Sequence, residues 1–73
     1  MTTDQFRTIL HQQPFRAFTI RMSDGRAFWV AHPDFVALSH SGRTVIVTQP
    51  DDSFSVLDLL LMSELQVGNG HPA

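Results

Sequence analysis

Two histidines and an aspartate, His32, Asp34 and His40, lie close together in the stretch AHPDFVALSH. Imidazole and carboxylate are the ligand types of zinc and non-haem iron sites, and the same groups act as general acids and bases. Their spacing favours another role. Pro33 fixes a bend between His32 and Asp34, and no two histidines stand one helical turn apart to share a face. Asp34 is therefore expected to cap backbone donors at a chain corner, with His32 and His40 at a rim or a subunit contact. The corner motif is His32, Pro33, Asp34 and Phe35, in which Pro33 ends a strand ladder and Phe35 re-enters the core. No metal ligand, no catalytic residue and no cofactor is expected.

Other chemistry-bearing residues are sparse. Asp51 and Asp52 follow Pro50, and adjacent residues at a strand end point to opposite sides, so the pair reads as a turn rather than as an acid pair. No nucleophile with a base and orienting group, and no glycine-rich phosphate loop, stands out. The five basic residues are all arginine, and the net charge is −2. This balance gives no general attraction to nucleic acid or to anionic lipid. If RNA binds, Arg21, Arg26 and Arg43 are the candidate phosphate contacts and Phe28 a stacking platform. Their simpler expectation is as solvated strand-edge and turn residues. A chain of this size also leaves little room for a substrate pocket of roughly 300–1,000 Å³, and the expectation is a protein that is not an enzyme.

These residues must be positioned by short elements. In TTDQFRTILHQQP, Thr2 and Gln5 have capping-box spacing, Phe6, Ile9 and Leu10 share a helical face, and Pro14 ends the segment, predicting a helix over about 3–12. From Phe18 the period becomes two, with Ile20 and Met22 alternating with Thr19 and Arg21. Asp24-Gly25 signals a hairpin. A two-residue loop there would set Met22 opposite Ala27, Arg21 opposite Phe28 and Ile20 opposite Trp29, so that Trp29 joins the Phe18 and Ile20 face. Further strands are expected in FVALSH, in RTVIVTQ after a turn at Ser41-Gly42, in FSVLD after Pro50-Asp51-Asp52, and in SELQV after a tight turn around Leu59 to Leu61. The pattern predicts one domain over residues 1–68, mainly β with one N-terminal α-helix. Its form is a small SH3-like or Sm-like barrel of about five strands, followed by a flexible tail over 69–73.

Size then argues for assembly. A chain of 73 residues with no cysteine has neither a disulfide framework nor thiolate metal sites to supplement a small core. Hydrophobic residues make up 42% and charged residues 16%, which favours folding and leaves apolar groups to cover. Phe28, Val30, Leu59, Leu60 and Met62 are the candidate subunit-interface residues of a homo-oligomer, through paired edge strands or docking of LDLLLM. No stretch is apolar for long enough to span a bilayer and no signal peptide is visible, so a cytoplasmic protein without a membrane partner is expected.

Two resemblances bear on this. FRTILHQQPFRAFTIRMSDGR, Phe6 to Arg26, resembles the start of Sm-like (Hfq-like) proteins, and FSVLDLLLMSELQV, Phe54 to Val67, is similar to their closing strand pair. That resemblance implies a ring binding RNA, with bases held near a lysine-histidine pair. At the corresponding place this chain has Phe54, Ser55, Val56 and Leu57. The segments QPFRAF, DGR, HPDF, GRT and LDLLL resemble the pattern of a family of short uncharacterised bacterial proteins, which implies kinship without a mechanism. The sequence therefore suggests a self-associating interaction module of unknown ligand, with an Sm-like RNA-binding ring as the alternative.

Overall fold

The computed structural model describes residues 1–68; the tail expected over 69–73 lies outside the described residues. The chain starts as predicted from its capping box. Helix α1 (Thr3–Leu10) has Thr2 as N-cap, whose hydroxyl accepts from the Gln5 amide at 3.1 Å while the Gln5 side chain accepts from the Thr2 amide at 2.9 Å. It ends two residues short of the expected limit. The Gln12 side-chain amide donates to the Ile9 carbonyl at 3.0 Å, satisfying an end carbonyl that another helical turn would have used.

Six strands follow among the described residues: β1 (Phe18–Met22), β2 (Ala27–Val30), β3 (Val36–Leu38), β4 (Thr44–Thr48), β5 (Phe54–Asp58) and β6 (Met62–Val67). They form two three-stranded antiparallel sheets ordered β2-β1-β6 and β3-β4-β5. The count is six rather than about five, the His32-to-Phe35 corner separating β2 in the first sheet from β3 in the second. Two 3₁₀ turns carry the chain between sheets, Pro33–Phe35 outward and Leu59–Leu61 back. Each is closed by a side chain two residues ahead of the amide it binds: His32 Nδ1 accepts from Asp34 at 3.1 Å, and Asp58 Oδ1 from Leu60 at 2.9 Å.

The β1–β2 hairpin corrects the expected register. The Met22 amide donates to Arg26 and the Gly25 amide to Met22, leaving Ser23, Asp24 and Gly25 as the loop, with Gly25 at φ 96°. A turn with a third residue in the left-handed region adds one residue to the loop. Ile20 therefore faces Phe28, Thr19 faces Trp29 and Phe18 faces Val30. A shift of one residue exchanges the two faces of a strand. Phe28 and Val30 join Phe18 and Ile20 toward the core, and Trp29 moves to the opposite face beside Thr19.

One core unites the layers. Phe6 and Leu10 of α1 pack with Phe18, Ile20, Met22, Val30 and Met62 of the first sheet, Val45, Val47 and Leu57 of the second, and Leu59 of the 3₁₀ turn. The Phe6 ring meets Phe18 edge-on at 6.1 Å between centroids, a favoured aromatic geometry. No buried side-chain polar atom lacks a partner among the described residues. No helix among them is long and apolar enough to cross a membrane.

Candidate functional site

The AHPDFVALSH stretch builds a corner whose cap runs opposite to the expected direction. His32, not Asp34, supplies the capping acceptor, and its Nδ1 lies 3.5 Å from Asp34 Oδ2. Accepting at Nδ1 places the proton of the neutral ring on Nε2. No group of three or more histidine, cysteine, aspartate or glutamate residues is arranged to hold a metal among the described residues, and His40 stands on the β3–β4 turn, away from the corner. Phe35 does not re-enter the core; it is 46% exposed, and Val36 packs inward instead. Its ring joins an aromatic series leading outward from the core. Successive centroids lie 6.0 Å apart from Phe18 to Phe15, 6.4 Å from Phe15 to His32 and 5.9 Å from His32 to Phe35.

The expected subunit-interface residues divide. Val30, Leu59 and Met62 are buried in the core of the protomer itself and have no surface to offer a partner. Phe28 is half-buried under the Arg26 guanidinium, 5.7 Å above its ring. Leu60 is 60% exposed, as is its neighbour Leu61 at 53%. A 3₁₀ turn presents three leucines in three directions, and only Leu59 can point inward.

The three arginines are dispersed and each has a carboxylate. Arg21 donates to Gln66 Oε1 and lies 3.5 Å from Glu64, Arg26 is 2.8 Å from Asp24, and Arg43 is 3.7 Å from Asp58. Hydrogen bonds from the Arg26 amide and guanidinium hold the Asp24 carboxyl below its usual pKa.

The outer faces of the two sheets differ in kind. On β2-β1-β6, the row facing away from the core carries Ala27, Arg21 and Glu64, and the next carries Trp29, Thr19 and Gln66. That face is mainly polar and laced with hydrogen bonds. On β3-β4-β5, Val45, Val47 and Leu57 point inward, so Ile46 faces out between Ala37 and Val56, and Thr48 lies beside Phe54. Phe54 is 64% and Val56 62% exposed. With Phe35, which lines a pocket with Thr48, near one end, these side chains form an exposed apolar strip, a kind of surface that can serve in binding. It was legible in part. FSVLD and TVIVT both carry bulky residues at alternate and at intervening positions, the pattern of a strand covered on both sides.

Beside this strip is a pocket of about 450 Å³ lined by Trp29, Phe35, Thr48, Gln49, Pro50 and Asp52. It lies where the end of β2, the corner and the β4–β5 turn meet. A wider depression of about 640 Å³ between α1 and β6 has no aromatic ring among the described residues that line it. Sequence reasoning missed the smaller pocket because the β1–β2 loop length decides which face Trp29 occupies. Comparisons with family models, with curated proteins and with solved structures return no match for this chain.

Proposed function

We propose that this protein is a self-associating interaction module of the small SH3-like or Sm-like barrel kind, non-enzymatic and cytoplasmic, in which copies meet through the outer face of β3-β4-β5. The observation that carries the reading is the contrast between the two sheets. One outer face carries Arg21, Glu64 and Gln66 in contact with one another, while the other leaves Ile46, Phe54 and Val56 uncovered on a core too small to be generous with apolar side chains. Leu60 and Leu61, on the 3₁₀ turn that follows β5, are also exposed. Covering such residues by a second copy stabilises by roughly 25 cal/mol per Å² removed from water, before the cost of association.

The barrel reading rests on the way the sheets exchange strands. The chain passes from one sheet to the other at two capped 3₁₀ turns, and backbone bonds from Leu59 to Arg43 and from Ser23 to Leu61 tie the return turn to a hairpin of each sheet. Kinship with the short bacterial family that shares HPDF and LDLLL is part of the same reading. An RNA-binding ring would require Arg21, Arg26 and Arg43 to exchange carboxylates for phosphates, which makes it the second choice. Light scattering over a concentration series tests the proposal. Growth of the weight-average mass with concentration, abolished by Phe54→Glu, is the expected result; a salt-dependent shift on adding short single-stranded RNA to a purely monomeric protein would favour the ring reading's ligand instead.

A further inference from the structure

The pocket beside the apolar strip has a chemistry of its own. Two of its walls are aromatic, Trp29 and Phe35, and among the described residues that line it Asp52 is the charged one. Asp52 occupies an unusual backbone position. It sits at φ 69°, where the matching position of the β1–β2 loop holds Gly25 at φ 96°. The two loops share their hydrogen bonds: the Asp52 amide donates to Gln49 as Gly25 does to Met22, and Gln49 donates to Ser53 as Met22 does to Arg26. A glycine would serve this turn without strain, whereas a side chain in the left-handed region carries a cost. Aspartate is one of the few residues besides glycine that enter this region, and here the turn brings it to the wall of the pocket. Next to it, Asp51 accepts from the hydroxyl and amide of Ser53 at 2.6 and 3.0 Å, which keeps a second negative charge at this turn.

We propose that the Trp29–Phe35–Asp52 pocket binds an alkylated ammonium cation, either a free quaternary amine or the methylated end of a lysine side chain. The aromatic faces present their negative quadrupole to the cation, tryptophan being the strongest such surface. The Asp52 carboxylate balances the charge without demanding a hydrogen bond that a quaternary nitrogen cannot give. Alkyl groups on the cation fill an apolar wall completed by Pro50. An unalkylated ammonium, strongly hydrated, loses more on entering such a site. The site itself is built from one copy of the chain.

The experiment is a fluorescence titration, because Trp29 is the sole tryptophan of the sequence. Choline is compared with 3,3-dimethylbutan-1-ol, its uncharged isostere, and with a short peptide carrying one trimethyl-lysine. The expected result is a saturable change with choline or the peptide, about tenfold weaker or more for the isostere and for choline on Asp52→Asn. Asparagine tolerates the left-handed conformation, so the turn survives that substitution. Phe35→Leu keeps the apolar bulk and removes a π face, and it weakens choline binding severalfold while leaving the isostere unaffected. Tighter binding of the peptide than of choline assigns the cation to a protein partner; equal binding assigns it to a small molecule. Equal affinity for choline and its isostere, an Asp52→Asn variant that binds as wild type, or no saturable change with either cation overturns the proposal.

Discussion

Ser53 stabilises the ionised form of Asp51 on the β4–β5 turn. Its hydroxyl and amide both donate to Asp51, and they hold the carboxyl below its usual pKa. A depressed folded-state value favours the native chain above the ordinary carboxylate range, and the contribution is lost as pH falls through the lowered value. Ser53→Ala removes the larger of the two bonds, and the Asp51 pKa measured by NMR titration should rise toward that of an unperturbed aspartate. Asp52, one residue on, is held by backbone geometry instead. Asp52→Val places a β-branched side chain at positive φ and should cost about 1–2 kcal/mol in urea unfolding, whereas Asp52→Gly should not destabilise the turn by a comparable amount. At this scale the sequence was only partly readable. Pro50-Asp51-Asp52 announced a turn, yet nothing in the residue types showed that its last aspartate would reach the wall of a pocket. The expected face of Trp29 differs from the observed one because Asp24-Gly25 suits both a two-residue loop and a three-residue loop ending in a left-handed glycine. The second won, and with it the opposite set of side chains turned inward.

Between sheets, the chain depends on two turns built alike. His32 caps one and Asp58 the other, and a capping side chain is worth about 1 kcal/mol. His32→Ala and Asp58→Ala should each lower unfolding stability by about that amount, the exposed Arg43–Asp58 contact adding little of its own. The β3–β4 turn is less forgiving. Gly42 adopts φ 78°, is buried under α1, and accepts at its carbonyl from the Thr3 hydroxyl at 3.3 Å. A Cβ there would overlap Thr3 Cγ2. Gly42→Ala therefore combines conformational strain with displacement of the helix start, and should cost about 2 kcal/mol or more in thermal or urea unfolding. Elements were the most legible part of the sequence. The Thr2 and Gln5 capping box, the period-two run from Phe18 to Met22 and the turn around Leu59 to Leu61 depend on neighbours close in the chain. The corner was harder: HPDF marked an interruption, but whether Phe35 turns inward depends on β3 and β4, which meet it from elsewhere in the chain.

As a whole the molecule joins two sheets of unequal surface around one core. The outer face of β2-β1-β6 is mainly polar, whereas that of β3-β4-β5 leaves Ile46, Phe54 and Val56 exposed. Composition pointed to assembly, but it could not separate apolar side chains that fill the core from those that face outward. Val30, Leu59 and Met62 went to the first group, while Leu60, Phe54 and Val56 went to the second. Sedimentation equilibrium of the wild-type protein beside Val56→Glu tests self-association through this face most directly. Val56 is 62% exposed, so the substitution should leave the unfolding midpoint nearly unchanged. Reversible association of the wild type in the micromolar range, lost in Val56→Glu, is the predicted result. A wild-type protein that stays monomeric at high micromolar concentration, or a Val56→Glu variant that is folded and associates as strongly as wild type, would contradict the account.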